Sequence, residues 1–167
     1  ELIEEIVGAS ASLSRRKIGA LIVIEREVGL KSYIESGTPV DAKVTNYLLT
    51  SIFIPQSPLH DGAVVIQDGR LVAAGCVLPL SEEEKMFPRS LGMRHRAAVG
   101  ISEETDAVCV VVSEETGAVS VAHAGKLTHG LDEETLVKTL KNLFYRLEKR
   151  KVPFNLKTQF LKHGKNR

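Results

Sequence analysis

The sequence predicts an α/β domain with a central mixed β-sheet flanked by helices. Three observations carry that prediction. Apolar runs of strand length, rich in Val and Ile, recur at residues 18–24, 63–66, 71–78, 107–112 and 119–122. Stretches with apolar residues at helical spacing lie before, between and after them. Turn residues such as Asp68-Gly69 punctuate the two kinds of segment.

The elements follow in order. Leu2, Ile3, Ile6, Val7, Ser10 and Leu13 repeat with a helical period, so residues 2–14 read as an amphipathic helix. Arg15-Arg16-Lys17 closes it with cations that complement the helix dipole. Such a basic run is also what a segment near a membrane surface would carry. Ile18 to Ile24 is apolar on both faces, the mark of a central strand. Leu30 to Glu35 reads as a short helical turn stopped by Gly37 and Pro39. Asp41 is a candidate cap for a second amphipathic helix, with Val44, Tyr47, Leu48 and Ile52 on its apolar side, ending at Pro55. Ala63–Ile66 and Leu71–Leu78 flank Asp68-Gly69, a hairpin signal. Ser81 to Gly92, with Glu82-Glu83-Glu84 and Pro88, is the longest loop-like stretch and reads as a lid or flank. Arg94 to Ser102 reads as a helix with Ala97, Ala98 and Ile101 inward. Ala107–Val112 and Val119–Ala122 read as strands joined through Ser113–Gly117. Asp132 caps the last long helix, Glu133 and Glu134 fill its first turn, and Leu136, Leu140, Leu143, Phe144 and Leu147 form its buried face. Lys149, Arg150 and Lys151 end it. The division expected is one domain over residues 1–150 and a basic, loose tail over 151–167.

Bulk composition narrows the function classes. A chain of 167 residues suits one domain, and 43% apolar with 26% charged residues is an ordinary soluble globular profile. A net charge of +1 gives no global argument for nucleic acid as a partner. Cys76 and Cys109 fall inside apolar runs and read as buried free thiols of a reducing compartment. No apolar run reaches the length of a membrane span, and no signal peptide is present. The chain starts at Glu1 directly inside a helical pattern, so it reads as a soluble fragment of something longer.

Three polar clusters interrupt the strand-forming runs. The first, His60-Asp61-Gly62, stands at the entrance to a strand. There a carboxylate and an imidazole can hold a metal, and a residue without a side chain leaves its backbone open to a ligand. A plain loop-to-strand junction would use Asp-Gly for its turn conformation alone. The second, Gly92-Met93-Arg94-His95-Arg96, opens a helix. Cations are unfavourable at a helix N-terminus unless an anion is present, so Arg94 and Arg96 read as phosphate ligands. Ion pairs with the glutamates at 82–84 are the competing account, and His95 by itself fits a structural histidine. In the third, Ser113-Glu114-Glu115-Thr116, the acids can hold a hard cation and the serine a phosphate; a solvated turn has the same composition. Together the clusters supply what nucleotidyl transfer needs: a carboxylate and a cation at a hydroxyl, and arginines on a triphosphate.

Leu59-His60-Asp61-Gly62-Ala63, Gly92-Met93-Arg94-His95-Arg96-Ala97-Ala98 and Val112-Ser113-Glu114-Glu115-Thr116-Gly117 closely resemble the diadenylate cyclases, which condense two ATP into cyclic di-AMP and release two pyrophosphates. The likeness runs from about Ile3 to about Phe144 and includes Ile18-Gly19-Ala20-Leu21 and Ile52-Phe53-Ile54-Pro55. It is greatest to the membrane-tethered CdaA type, whose N-terminal membrane helices are absent here. The resemblance implies the diadenylate cyclase domain fold and a cytoplasmic domain tethered to the cell membrane. It implies a divalent metal (Mn, Mg or Co) and an active face-to-face homodimer. A membrane-bound regulator and a sugar-phosphate mutase are partners by resemblance only. Residue by residue, it implies that Asp61 and the metal activate a ribose 3′-hydroxyl, with His60 and Glu114 also at the metal. Gly62 and Ala63 pass their backbone by the nucleotide, and Val77 and Leu78 lie near the base. Arg94, His95 and Arg96 hold phosphates, with Met93 beside them in the ATP site, and Ser113, Glu114 and Glu115 meet the triphosphate and its cation. Two positions depart from the family's usual pattern. Met93 replaces a threonine and cannot donate to phosphate, and Val77 replaces an aromatic residue and cannot stack. The alternative is the same fold kept as a weakly active or inactive nucleotide sensor.

Overall fold

The computed structural model describes residues 1–83 and 91–151. Five helices and seven strands occur there, in the order α1 (Leu2–Arg15), β1 (Ala20–Ile24), α2 (Lys31–Glu35), β2 (Thr38–Lys43), α3 (Asn46–Phe53), β3 (Ala63–Gln67), β4 (Arg70–Cys76), α4 (Met93–Glu104), β5 (Val108–Val112), β6 (Val119–His123), β7 (Lys126–Thr128) and α5 (Glu133–Lys151). The strands make one sheet ordered β2-β4-β3-β1-β5-β6-β7. Only the β1–β3 pair is parallel, so the sheet is mixed as expected.

The middle position of β1 explains its unbroken apolar sequence. Ala20, Ile22 and Ile24 enter a core beneath α1, α3 and α5, while Leu21 and Val23 enter a second core beneath α2 and α4. β5 divides in the same way, with Val108, Val110 and Val112 on one face and Cys109 and Val111 on the other. A strand covered on both faces has no use for a polar residue. Both cysteines are buried and free. Burial pushes the Cys76 thiol up to about 11 and the Cys109 thiol higher still.

Several boundaries differ from the sequence reading. Asp41 caps nothing: it lies within β2 at positive φ, where the β2–β4 register slips between Pro39 and Ala42. The α3 cap is Thr45, whose Oγ1 accepts from the Leu48 N–H at 3.1 Å. Tyr47 is 85% exposed, and the inward face of α3 is Leu49, Ile52 and Phe53. β4 stops at Cys76, which leaves Val77 and Leu78 in the segment beyond it. Asp132 does cap α5, accepting from the Thr135 N–H at 2.7 Å. Residues 84–90 of the 81–92 stretch, with Glu84 and Pro88, the Leu147 side chain and the tail from Pro153 lie outside the described residues.

The topology gathers the polar clusters. β3 runs parallel to β1, and β4 and β5 run antiparallel to their neighbours. Ala20 therefore faces Val112, and Ala63 faces Cys76. The start of β1, the start of β3, the end of β4 and the end of β5 all reach one end of the sheet.

Candidate active site

At that end lie two adjoining cavities. One, of about 530 Å³, is lined among others by His60, Asp61, Gly62, Val77 and Leu78. The other, of about 240 Å³, is lined by Gly92, His95, Ser113 and Glu115 among others. Met93, Arg94 and Glu114 line both, so the three clusters of the sequence share one continuous cleft.

The smaller cavity sits on the N-terminus of α4. Gly92 caps that helix without a side-chain hydrogen bond, which leaves first-turn N–H groups facing outward. The Arg94 guanidinium pairs with Glu114 at 3.5 Å, not with the glutamates at 82–83. Arg94 Nε is buried and has no partner among the described residues. Ser113 is buried, and its Oγ accepts from the N–H groups of Glu115 (3.3 Å) and Thr116 (3.2 Å). A hydroxyl has two acceptor positions and one donor, so neither bond uses the Ser113 O–H proton. His95 is buried, with both ring nitrogens unpartnered among the described residues. Its ring meets His129 edge-on at 6.4 Å between centroids, and His129 Nδ1 lies 2.9 Å from Ser120 Oγ. Burial first, then His129 and the Arg94 charge, hold the His95 pKa below the usual imidazole value, so the ring is neutral near pH 7.

The larger cavity has a polar mouth and an apolar wall. Asp61 is exposed at its edge, and Leu21, Cys76 and Leu78 form its buried side. Val77 and Met93 are 69% and 62% exposed at the rim. His60 Nδ1 lies 2.7 Å from the Ser57 carbonyl oxygen. That oxygen can only accept, so Nδ1 carries a proton.

Three expected ligands stand differently. Ala63 is fully buried in β3 and lines neither cavity. Arg96 also lies off the cleft: its Nη2 donates to the Ser81 carbonyl at 3.2 Å, and the Ser81 N–H returns a bond to the Arg96 carbonyl at 3.0 Å. Its visible role is to lace α4 to the segment after β4. Gly62 is at φ 107°, and a Cβ there would fall 2.7 Å from the Cys76 carbonyl oxygen. Close passage of β4 is thus reason enough for a glycine at 62, although the residue does line the cleft.

The chain matches the DAC family, described as DisA bacterial checkpoint controller nucleotide-binding, over residues 7–127. It belongs to the diadenylate cyclase domain family. It is 52% identical over 142 residues to cyclic di-AMP synthase CdaA of Bacillus subtilis (strain 168), covering 85% of this chain and 52% of that protein. A diadenylate cyclase of Listeria monocytogenes is 48% identical over 139 residues, covering 83% and 50%. The crystal structure of a DacA double mutant from Staphylococcus aureus superposes with a TM-score of 0.83 at 47% identity, covering 86% of this chain and 95% of that one. The chain spans about half the length of the curated relatives it matches. Among the described residues no helix of this diadenylate cyclase domain is long and apolar enough to cross a membrane.

Carboxylates suit a hard divalent cation at the cleft. His60, Asp61 and Glu114 do not, however, form the preassembled ligand set expected from the sequence. Among the described residues no three His, Cys, Asp or Glu side chains are grouped to hold one ion. One or two carboxylates completed by substrate phosphate oxygens is the usual arrangement for Mg²⁺ in nucleotide enzymes, and the donors present fit that pattern.

Proposed function

We propose that this domain is a diadenylate cyclase. It condenses two ATP into 3′,5′-cyclic di-AMP and releases two pyrophosphates. The observation that carries the reading is the shared cleft, in which Asp61 lies on one side and Arg94, Ser113 and the α4 N-terminus on the other. The larger cavity takes the nucleoside, with the base against Leu78 and Val77. The smaller one takes the phosphates. Arg94, the Ser113 O–H and the first N–H groups of α4 all donate, and only an anion uses all of them.

Asp61 accepts the proton of the ribose 3′-hydroxyl. The freed oxygen attacks the α-phosphorus of the other ATP, and the bond to the departing pyrophosphate oxygen breaks in line. Arg94 and Ser113 stabilise the charge that gathers on the leaving group. A divalent cation (Mn, Mg or Co), held by Asp61 and Glu114 with His60 beside them, would supply Lewis-acid stabilisation of that same charge. One protomer presents one hydroxyl and one phosphate, so ring closure needs two protomers face to face about a two-fold axis. In the cell, the domain is tethered at the cytoplasmic face of the membrane, as in the membrane-bound type it resembles.

Incubation with ATP and each cation in turn, with the product identified by mass, tests the reading. Cyclic di-AMP is expected, together with a specific activity that falls on dilution below the dimer dissociation constant. Asp61→Asn should keep ATP binding and lose about 10²–10⁴-fold in turnover. ATP binding without any cyclic product, under every cation, would assign the cleft to a sensor.

A further inference from the structure

Arg94 is the cation that both cavities share, yet its ion pair does not fix its aim. Glu114 is 66% exposed and stands 3.5 Å away, too loose a partner to orient a planar group. Arg94 Nε has no partner among the described residues. On its other side the guanidinium meets Gly19, the residue just before β1. A Cβ built on Gly19 would fall 2.5 Å from Arg94 Nη1, 2.7 Å from Cζ and 3.1 Å from Nε. An approach in the guanidinium plane would reach one nitrogen and leave Cζ well behind. Nearly equal distances to Nη1 and Cζ mean that the group lies face-on over the bare Cα.

Gly19 is not explained by its backbone. It is not among the residues at positive φ, so an alanine can adopt its conformation. The three atoms nearest its missing Cβ all belong to Arg94, and none is backbone. Leu21, two residues on, lines the same cleft, so the start of β1 is already part of its wall.

We infer that Gly19 is a positioning residue: its bare Cα is the seat that aims the Arg94 guanidinium at the phosphates. The inference rests on the reading of Arg94 as a phosphate ligand. A methyl group on Gly19 would push the guanidinium from 2.5 Å to at least the 3.4 Å of ordinary contact. The long arginine side chain can make that move without disturbing the fold, whereas a displacement of about 1 Å at a reacting centre can cost about 10²-fold in rate.

The test is a double-mutant cycle of Gly19→Ala and Arg94→Ala in the full chain, reading thermal unfolding, and kcat and the KM for ATP in cyclic di-AMP formation. Gly19→Ala should unfold at the parent temperature and lose about 10²-fold in kcat/KM. The double variant should be no worse than Arg94→Ala, because the glycine acts only through that side chain. Parental activity in Gly19→Ala beside an impaired Arg94→Ala overturns the seat and leaves the phosphate reading standing. Additive losses overturn it as well. Full activity in Arg94→Ala refutes the phosphate reading, and the seat falls with it. Should Gly19→Ala fail to fold, Gly19→Ala/Arg94→Ala decides. Recovery on removing the guanidinium supports the seat, and continued failure gives Gly19 a backbone role and ends it.

Discussion

Glu114→Gln separates the ion pair that this carboxylate makes with Arg94 from the cation-ligand role proposed for it. In the structure it neutralises Arg94 across 3.5 Å, with the arginine 23% and the glutamate 66% exposed. Two unit charges at that distance attract by about 5 kcal/mol at an effective dielectric of 20. Water at the glutamate brings the net value down to about 0–1 kcal/mol. A triphosphate entering without a cation must displace this carboxylate from the guanidinium and also approach its negative charge. Glutamine preserves the shape and removes the charge. Metal-free ATP should therefore bind more tightly, by up to about fivefold for 1 kcal/mol. Turnover with a cation should move the other way and fall by about 10²-fold or more, since the proposed cation ligand is lost. Titration calorimetry in a chelator gives the first quantity, and product formation with Mn²⁺ gives the second. Weaker metal-free binding in Glu114→Gln, or unchanged turnover with metal, would refute this account of the pair.

Other perturbations address the frame around the cleft. At Gly100 an added Cβ would fall against the Pro79 carbonyl oxygen and 2.8 Å from Ser81 N, all of it backbone. Gly100→Ala should cost about 1–3 kcal/mol, seen as a drop of several degrees in Tm; a parental Tm would show that α4 can move off the 79–81 segment freely. His95, whose pKa is lowered in the fold, gives full stability above its unfolded value of 6.5 and loses it as pH falls from there toward the folded value. The slope of Tm against pH below 6.5 should therefore flatten in His95→Asn, and an identical slope would mean the ring is not held neutral. Thr45→Ala removes the α3 cap and should cost about 1 kcal/mol in denaturant unfolding. No change in the midpoint would show that the Leu48 N–H finds another acceptor.

The doubly buried strands and the long amphipathic helices were legible because one physical cause dominates each of them. β1 and β5 are apolar at every position since both faces are covered, and α5 shows its cap, its acidic first turn and its inward leucines in order. β2 was hidden for the opposite reason. It is an edge strand with no buried residue, a proline and a register slip, so its sequence reads as a turn. β7 is three residues long and held by β6, a tertiary effect that no local pattern carries. At the cleft, charged clusters announced themselves because Asp61, Arg94 and Glu114 are costly anywhere else in a core sheet. Which arginine lines the cleft was not legible: Arg94 and Arg96 are two residues apart on a helix, so they point to different sides. Gly19 carries no chemistry of its own. Its only signal is a glycine beside a strand, which marks a close approach without naming what approaches.

The middle position of β1 has a cost during synthesis. It precedes β5 in the chain, and Ala20 must wait for Val112 before that side of it is paired. Until then a strand apolar at every position has an unfilled row of amide groups, a template for any other extended chain. Closing so distant a pairing is slow compared with forming local helices, so α1 has to shield one face while the ribosome finishes the rest. A polypeptide released before β5 would leave that edge of β1 open to other extended chains.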